Sequence, residues 1–394
     1  MAARGGPARG LCPRRLTHGF AGTFWLFLLT REEPAASFGQ MPNPPGDAAP
    51  FSSSGGASRF ALDRIADPLE QVERAMREQL ASEGELVAAI GEHVLSSGGK
   101  RVRPALLLLC AELCGYTGPR RVQVAAAVEL LHSATLLHDD VVDLSQLRRG
   151  RASANAVWGN RRAVLVGDFC YARASSMIVE DGDLEVLFVF SNTIRRMAEG
   201  ELLQLQRSFD PSVTEAHYYG VIERKSASLL SAACEAGAIL GGVTRAERRR
   251  LSEFGRELGL AFQLRDDALD YVAREADLGK RPYTDVREGK VTLPLLLALK
   301  RCTAAEREEI EKALKSAAQT AARSLADDGG ESLAEPVELE PVLRLVAQYR
   351  GVPDTARRAE EHVARAEAAI APFPACPAKE ALLGAAEFAA ARDR

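Results

Sequence analysis

Three aspartates lie in a stretch of sequence that otherwise has the composition of a buried helix. The apolar residues from 122 to 142 leave the segment almost no polar face, so a helix formed there is expected to be covered on most sides. Asp139, Asp140 and Asp143 lie at its end. A buried carboxylate costs free energy unless positive charge compensates it, and neighbouring carboxylates raise one another's pKa. Whatever surrounds this cluster must therefore supply cations.

The spacing of the three acids favours a metal site. Positions i and i+4 share one face of a helix and position i+1 is turned about 100° away. We therefore expect Asp139, Asp140 and Asp143 to converge on one wall. Oxygen ligands with no His or Cys at ligand spacing suit Mg²⁺, which takes one or two carboxylates and completes its shell with water and phosphate. The alternative is that the acids cap a helix end or face solvent.

The acidic pattern recurs in a second apolar segment, between 255 and 271. There the chain reads Asp-Asp-Ala-Leu-Asp at 266–270, with the spacing of the first cluster. Two helices far apart in sequence can face each other across a bundle. Cations follow both clusters, Arg148 after the first and Lys280 and Lys290 after the second. This pattern suits a diphosphate, with Mg²⁺ on the carboxylates and basic side chains on the remaining oxygens.

A third charged segment, Gly-Gly-Lys-Arg-Val-Arg-Pro at 98–104, has the features of an anion cradle. Pro104 suits the first turn of a helix, and exposed amide groups at a helix start add to the charge of the cations. A solvated basic turn is the alternative for this segment taken alone.

The rest of the chain predicts an all-α protein. Apolar residues recur at helical spacing from Ala61 onward, and no convincing strand is present. We expect one helical domain over 59–394, with a surface insertion at about 323–341, where two glycines and two prolines interrupt the pattern. The predicted helices are 65–80, 86–95, 104–114, 122–142, 163–179, 184–205, 222–240, 255–271, 355–371 and 377–392.

Charge and cysteine usage narrow the function and the compartment. The net charge of −4 argues against sequence-independent nucleic-acid binding, which needs a basic surplus. The seven cysteines are odd in number and scattered, which is typical of free thiols in a reducing compartment such as the cytoplasm. Cys110 and Cys114 lie one turn apart, but no second pair follows, so core packing is the expectation for them.

Residues 1–58 are interpreted as an extension and linker outside the fold, expected to be disordered. Residues 1–31 contain five arginines and no acid, and the apolar run at 20–29 is too short to span a bilayer. An export signal or an organelle transit peptide fits this pattern, and so does a start codon placed upstream of a true beginning at Met41. A Pro-, Gly- and Ser-rich linker follows at 34–56.

These motifs together resemble the trans-type polyprenyl diphosphate synthases of the long-chain, octaprenyl-like kind. The resemblance extends from Ala61 to the C-terminus and is carried by 98–104, by His-Asp-Asp-Val-Val-Asp at 138–143, by Arg-Arg-Gly at 148–150 and by Phe-Gln-Leu-Arg-Asp-Asp-Ala-Leu-Asp at 262–270. It implies a homodimeric, isoprenoid synthase-type helical bundle around a central cavity. The product is membrane-seeking, whereas the protein itself is not transmembrane.

The resemblance also implies a role for each motif residue. Mg²⁺ would be bound by Asp139, Asp143 and Asp266, with Asp140, Asp267 and Asp270 in support. The allylic diphosphate would be held by Arg148, Lys225, Ser226, Gln263, Lys280 and Lys290. Isopentenyl diphosphate would be held by Lys100, Arg103, His132 and Arg149. The residues implied to be catalytic are Asp139, Asp140, Asp143, Asp266, Asp267, Lys225 and Arg148.

The implied chemistry needs no protein nucleophile. Metal and cations stabilise the departing diphosphate, and the double bond of isopentenyl diphosphate attacks the allylic cation that remains. The released diphosphate then removes a proton. Repeated condensation gives a long all-trans polyprenyl diphosphate, with a quinone side chain as its destination.

Small residues below the first motif favour a long product, because the growing chain must thread between helices. Ala134 and Thr135 precede Asp139, and Ala174, Ser175 and Ser176 lie on the next predicted helix. Close helix packing explains small residues equally well. A bulky residue in place of Ala134 is expected to shorten the product.

Two positions depart from the family pattern. Ser226 replaces the usual Thr and keeps the hydroxyl, whereas Tyr283 occupies a position that is commonly Gly, which restricts the backbone and leaves the place of Lys280 open. The alternatives are a shorter-chain farnesyl or geranylgeranyl synthase, a non-catalytic partner subunit of a heteromeric synthase, a terpene synthase and an exported protein. The intact second motif argues against a terpene synthase and a non-catalytic subunit.

Overall fold

The computed structural model describes residues 64–81, 84–96, 99–272, 283–326 and 339–391. The first half comprises α1 (Ala66–Leu80), α2 (Glu85–Ser96), α3 (Val102–Leu113), α4 (Arg120–Val142), β1 (Leu147–Arg148), β2 (Arg151–Ala152), α5 (Ala154–Trp158), α6 (Asn160–Asp181) and α7 (Leu184–Leu205). The second half comprises α8 (Glu215–Ile222), a π-helical turn (Glu223–Ala227), α9 (Ser228–Leu240), α10 (Arg245–Leu269), α11 (Thr284–Arg287), α12 (Leu293–Arg301), α13 (Ala304–Ala326), α14 (Glu340–Gln348), α15 (Gly351–Ile370) and α16 (Pro377–Ala391).

The prediction of an all-α fold is confirmed, with one small exception. Strands β1 and β2 form a two-residue antiparallel ladder, with Leu147 opposite Ala152. Arg149 and Gly150 make the connecting turn, and both have positive φ, 53° and 75°. Two such residues make the tight turn that suits a right-twisted hairpin. Strands this short carry no detectable periodicity, so the sequence could not predict them.

The core is built on α4, which packs against α6, while α10 packs against α9 and α15. Helix α4 is buried along most of its length, as its composition predicted. Close approach of α10 to the π-helical turn depends on Gly259, where an added Cβ would lie 2.6 Å from Ala227 Cα. The acidic end of α10 is thereby held beside the segment that carries Lys225 and Ser226.

Several helix bounds differ from the sequence expectations. The segment 255–271 is the second half of the longer helix α10, which starts at a capping box formed by Thr244 and Glu247. The helix expected from 222 begins instead as the π-helical turn. The predicted insertion starts within α13, and its residues 327–338 lie outside the described residues, as does the extension 1–58.

The two cysteines one turn apart are part of the core, as expected. Cys110 is fully buried and Cys114 is partly buried, and both thiols are free. Burial raises the pKa of Cys114 to about 12, which keeps this thiol protonated. Across the described ranges, no helix is both long enough and apolar enough to cross a bilayer.

A buried ion-pair network joins α10 to α15. The carboxylate of Glu257 lies 2.6 Å from His362 Nδ1 and accepts a hydrogen bond from Arg365 Nε at 2.9 Å. Burial by itself would raise the pKa of Glu257, but these hydrogen bonds outweigh it and hold the pKa at about 2. Because the folded-state pKa is depressed, this carboxylate stabilises the fold above its ordinary pKa, and the contribution is lost as the pH falls.

We expect Glu257→Gln to lower the free energy of unfolding by about 2 kcal/mol at neutral pH, since it weakens the hydrogen bonds that the charged carboxylate makes with His362 and with the half-exposed Arg365. The difference from the parent should shrink as the pH falls from about 4.5 towards about 2. Urea unfolding at a series of pH values measures both effects. A deficit that persists unchanged at pH 2.5 would contradict the assignment.

Candidate active site

A cavity of about 210 Å³ lies between the acidic ends of α4 and α10. Helix α7, the π-helical turn and the segment 285–292 complete its walls. The residues predicted from sequence that line it are Asp139, Asp143, Arg148, Lys225, Ser226, Gln263, Asp267 and Lys290. The folded chain therefore brings most of the proposed allylic side together around one space.

The first acidic motif divides into two functions. Asp139 and Asp143 face the cavity, whereas Asp140 is 3% exposed and does not line it. Arg148 Nε donates to both oxygens of Asp140, at 2.7 and 2.9 Å. The expectation that all three acids share one wall is thus wrong for Asp140, because the 100° rotation to i+1 turns it towards the β1–β2 hairpin. Asp140 positions Arg148 at the cavity.

Each cavity-facing acid of α4 has a lysine beside it. Lys290 Nζ lies 3.1 Å from Asp143 and 2.5 Å from Glu288. Burial would lower the pKa of Lys290, but the carboxylates of Glu288 and Asp143 raise it above its ordinary value. Lys225 pairs with Glu201, and its Nζ lies 4.0 Å from Asp139. Lys290 is therefore charged, and both lysines face the same space as the acids.

Asp139 has the most perturbed carboxyl group of the first motif. Burial raises its pKa to about 6, despite the opposing charge of Lys225. A carboxylate in this environment is poorly compensated, which favours a cation close to it.

Lys225 owes its orientation to the π-helical turn. Such turns add one residue to a helix and occur frequently at functional sites. Gly200 of α7 packs directly on this turn, and an added Cβ would lie 2.8 Å from the backbone nitrogen of Lys225. The neighbouring Glu201 is the residue that pairs with the lysine. The function of Glu201 is apparent only from this contact in the folded chain.

The second motif is held by a chain of hydrogen bonds. Tyr218 Oη donates to Asp267 Oδ2 at 2.5 Å, and Gln263 Nε2 donates to Oδ1 at 2.7 Å. Ser226 Oγ in turn donates to Gln263 Oε1 at 2.6 Å. Burial raises the pKa of Asp267 to about 6. No sequence signal had indicated Tyr218, which lies on the short helix α8 away from any motif.

The other two acids of the second motif lie in different environments. Asp270 is 1% exposed and accepts hydrogen bonds from the backbone N–H groups of Thr284 and Asp285, at 3.3 and 3.0 Å, so it anchors the segment that leads to Lys290. Asp266 is exposed and is not among the residues that line the cavity. Of the three aspartates predicted to bind metal, only Asp139 and Asp143 line the same space.

The donor set fits a hard divalent cation that shares its shell with substrate. Within the described chain, no three His, Cys, Asp or Glu side chains are arranged to hold a metal by themselves. Asp139 and Asp143 provide two carboxylates on one face of α4, which matches an ion that takes one or two carboxylates and completes its shell with water and phosphate.

Four basic residues from 98–104, α4 and the hairpin form a second group, which we call the basic cluster: Lys100, Arg103, His132 and Arg149. Burial lowers the pKa of Arg103. Burial, reinforced by Arg103 and Arg149, lowers the pKa of His132 well below its ordinary value, so this imidazole is neutral. Gly99 allows a close approach, since an added Cβ would lie 3.0 Å from Arg149 Nη1. Lys100 Nζ lies 4.2 Å from the ring centroid of Phe388 on α16.

Comparison with known proteins identifies the family. The family model described as polyprenyl synthetase matches residues 84–327. The octaprenyl diphosphate synthase of Escherichia coli (strain K12) is 44% identical over 329 residues, which cover 84% of this chain and 97% of that protein. The chain belongs to the polyprenyl synthetase family.

Two further proteins are similar to this chain over most of its length, one in sequence and one also in fold. The all-trans-nonaprenyl-diphosphate synthase (geranyl-diphosphate specific) of Rhodobacter capsulatus is 38% identical over 329 residues, covering 83% of this chain and 96% of that protein. A polyprenyl synthase from Caulobacter crescentus CB15, crystallised with calcium and isoprenyl diphosphate, is 38% identical with a TM-score of 0.79, covering 87% of this chain and all of that one. The isoprenoid synthase-type bundle and the prenyltransferase class of this polyprenyl synthetase are thereby confirmed.

The residues proposed to control chain length lie on two packed helices of the synthase. Ala134 of α4 and Ala174 of α6 are fully buried, whereas Thr135, Ser175 and Ser176 are partly buried. Thr135 Oγ1 donates to the carbonyl of His132 at 2.8 Å and so does not bridge to α6. Small residues are thus present where these helices pack.

In the loop before Lys290, Tyr283 adopts a backbone conformation that favours glycine, the residue common at this position in the family. Tyr283 has φ = 61°, in the left-handed region that glycine adopts at little cost. Its backbone N–H donates to the carbonyl of Asp270 at 3.2 Å, which holds it there. Lys280 and Pro282 lie outside the described residues, so the position of Lys280 stays a prediction.

Proposed function

We propose that this chain condenses isopentenyl diphosphate with an allylic diphosphate, and repeats the step to make a long all-trans polyprenyl diphosphate. The observation that carries the proposal is the cavity in which Asp139 and Asp143 face Asp267, with three cations around them. Those cations are Lys225, Lys290 and Arg148. The similarity to octaprenyl and nonaprenyl diphosphate synthases supports a long product over the farnesyl or geranylgeranyl alternative.

The proposed reaction is an ionisation followed by attack of a double bond. Asp139 and Asp143 would hold Mg²⁺, with Asp266 as the third ligand if the second motif moves towards the cavity. Bound Mg²⁺ supplies positive charge that stabilises the departing diphosphate. Lys225, Lys290 and Arg148 cover its remaining oxygens, which is electrostatic stabilisation of developing negative charge.

The carbocation left on the allylic chain needs the opposite environment. Leu136, Val221 and Ile222 line the cavity beside the charged groups. Their apolar surfaces exclude water, which would otherwise trap the cation as an alcohol. The isopentenyl double bond attacks this carbon, and the released diphosphate accepts the proton that is lost.

The second substrate would bind at the basic cluster. Two cations of the cluster, Arg103 and Arg149, surround the neutral His132, which can donate a hydrogen bond to phosphate without adding charge. Lys100 adds a third cation at the start of the segment that leads into α3. The family resemblance supports isopentenyl diphosphate at this cluster, and His132 lies seven residues along α4 from Asp139, the nearer of the two metal-facing acids.

A homodimer is the proposed assembly, and the exposed faces of α6 and α7 support it. Large apolar side chains on these helices are 60–78% exposed: Leu165, Val179, Leu184, Phe188 and Leu202. An apolar face of this size on a monomer indicates an interface. The cytoplasm is the proposed compartment, because the described cysteines are all free thiols, which a reducing environment maintains.

Elongation in the test tube is the direct test. The purified protein with isopentenyl diphosphate, farnesyl diphosphate and Mg²⁺ should give long polyprenyl products by chain-length analysis, and EDTA should abolish them. Asp139→Ala and Asp266→Ala should each lower kcat by about a hundredfold or more, because charge stabilisation in the transition state is lost. The exposed Asp67→Ala on α1 is the control and should match the parent. Full activity of the double variant would refute the enzymatic proposal.

Product length should respond to the residue below the first motif. Ala134→Phe places a ring where the growing chain is proposed to thread, so we expect shorter products from the same substrates. Ala125→Phe is a matched control, since Ala125 is equally buried on α4 and lies on the opposite face, nine residues away. If the two variants give the same product distribution, overpacking rather than tunnel length explains any change.

The dimer proposal predicts a change in molecular mass. Phe188→Glu places a charge in the proposed interface and should yield monomers by light scattering, because burying an unpaired carboxylate is costly. Leu86→Glu, on α2 and outside the exposed apolar face of α6 and α7, is the control and should remain dimeric. A parent protein that is already monomeric at micromolar concentration would exclude this interface.

A further inference from the structure

A buried carboxylate, Glu129, lies beside the basic cluster, and no motif had pointed to it. It is 4% exposed and lies on α4, one helical turn before His132. Its Oε1 accepts a hydrogen bond from Arg101 Nη1 at 3.3 Å. Its Oε2 is buried without a hydrogen-bond partner in the described chain. Leaving a buried carboxylate oxygen unsatisfied is costly, so its presence requires a reason.

Arg101 is held in place by two carboxylates and a backbone carbonyl, so its guanidinium is engaged within the protein. Besides Glu129, its guanidinium donates to Glu73 at 3.1 Å and to the carbonyl of Leu95 at 2.9 Å. The residue is 9% exposed. Glu129 therefore joins α4 to the start of α3 through Arg101, and so fixes the backbone that presents the neighbouring Arg103.

Glu129 also affects Arg103, through the charge of its carboxylate. Arg103 Nε is buried and has no hydrogen-bond partner within the described residues. The carboxylate of Glu129 is the leading influence that favours its charged form, whereas Arg149 opposes it. Since His132 is neutral, Glu129 is the buried negative charge that offsets the cations of the basic cluster and of Arg101.

We propose that Glu129 is a positioning residue that limits how tightly the basic cluster retains a diphosphate. Its negative charge reduces the repulsion among the cations of the basic cluster when no anion is bound. The same charge repels an anion that has entered the cluster. This inference rests on the proposed function. In the proposed reaction, each condensation leaves the diphosphate of the lengthened product in the basic cluster. This diphosphate must leave the cluster before the next isopentenyl diphosphate can bind.

Removing this charge while keeping the side-chain shape should change binding and turnover in a distinctive way. In Glu129→Gln an anion at the basic cluster no longer meets a negative charge, so it should bind on the order of tenfold more tightly. Departure of the product's diphosphate becomes slower. The KM for isopentenyl diphosphate and kcat should then fall together, and products should be shorter. A purely structural function would loosen the arginines and raise KM instead.

The decisive measurement uses inorganic pyrophosphate as the probe, titrated calorimetrically into the full-length protein in EDTA, with elongation kinetics in Mg²⁺ run in parallel. Glu129→Gln should lower the Kd for pyrophosphate about tenfold and lower kcat. Glu129→Asp, which keeps the charge, should remain within about threefold of the parent. An unchanged or higher Kd in Glu129→Gln would overturn the inference.

Two further variants keep the test decisive. Glu257→Gln also removes a buried, arginine-paired carboxylate, but it lies on α10 in the network with His362, so its Kd for pyrophosphate should equal that of the parent. If Glu129→Gln does not fold, Glu73→Gln removes the other acid from Arg101. It should tighten pyrophosphate about twofold, and no change would count against the proposal.

The outcomes also separate the inference from the proposed function. A parent protein that elongates no substrate contradicts the proposed function. A parent that elongates, together with a Glu129→Gln variant whose pyrophosphate affinity is not increased, contradicts the inference alone.

Discussion

The architecture depends on one electrostatic constraint, which is that carboxylates from two helices share a weakly solvated space. Such groups repel one another and lose hydration on folding. Lys225 and Lys290 relieve this by lying next to Asp139 and Asp143, and each lysine keeps a second carboxylate, Glu201 or Glu288. The residues that line the cavity include four acidic and four basic side chains, so its formal charges are balanced before any ligand arrives. A metal and a diphosphate can enter together, because they bring opposite charges in similar amount.

Within each acidic motif, one residue faces the ligand space and another organises the protein around it. Asp140 holds Arg148, and Asp270 holds the backbone of Thr284 and Asp285. Both are almost fully buried. The two motifs share a spacing but use it differently, because the buried organising acid is the second aspartate of the first motif and the third aspartate of the second.

The sequence predicted the helical class, most bounds of the helices it identified and eight of the twenty residues that line the cavity, because long apolar periodicity and repeated motifs are local signals. It could not predict Tyr218 or Glu129, since each acts through a single contact between helices distant in the chain. The sequence-based expectation for Asp140 was wrong. Helical spacing places residues i and i+1 on adjoining faces, but it does not say which part of the protein packs against each face. The partner of a side chain is a property of the tertiary structure, and only the folded chain shows it.

The π-helical turn at Glu223–Ala227 makes the site depend on the number of residues as well as on their identity. It contains one residue more than an α-helical turn would use. Deleting Ala227, which lies between Lys225 and α9, would let a regular helix form and would rotate Lys225 by about 100° relative to α9. Gly200 on the facing helix would then lose the contact that its missing side chain permits. The site therefore depends on the lysine itself and, even more, on the number of residues in a helical segment that otherwise looks uninterrupted.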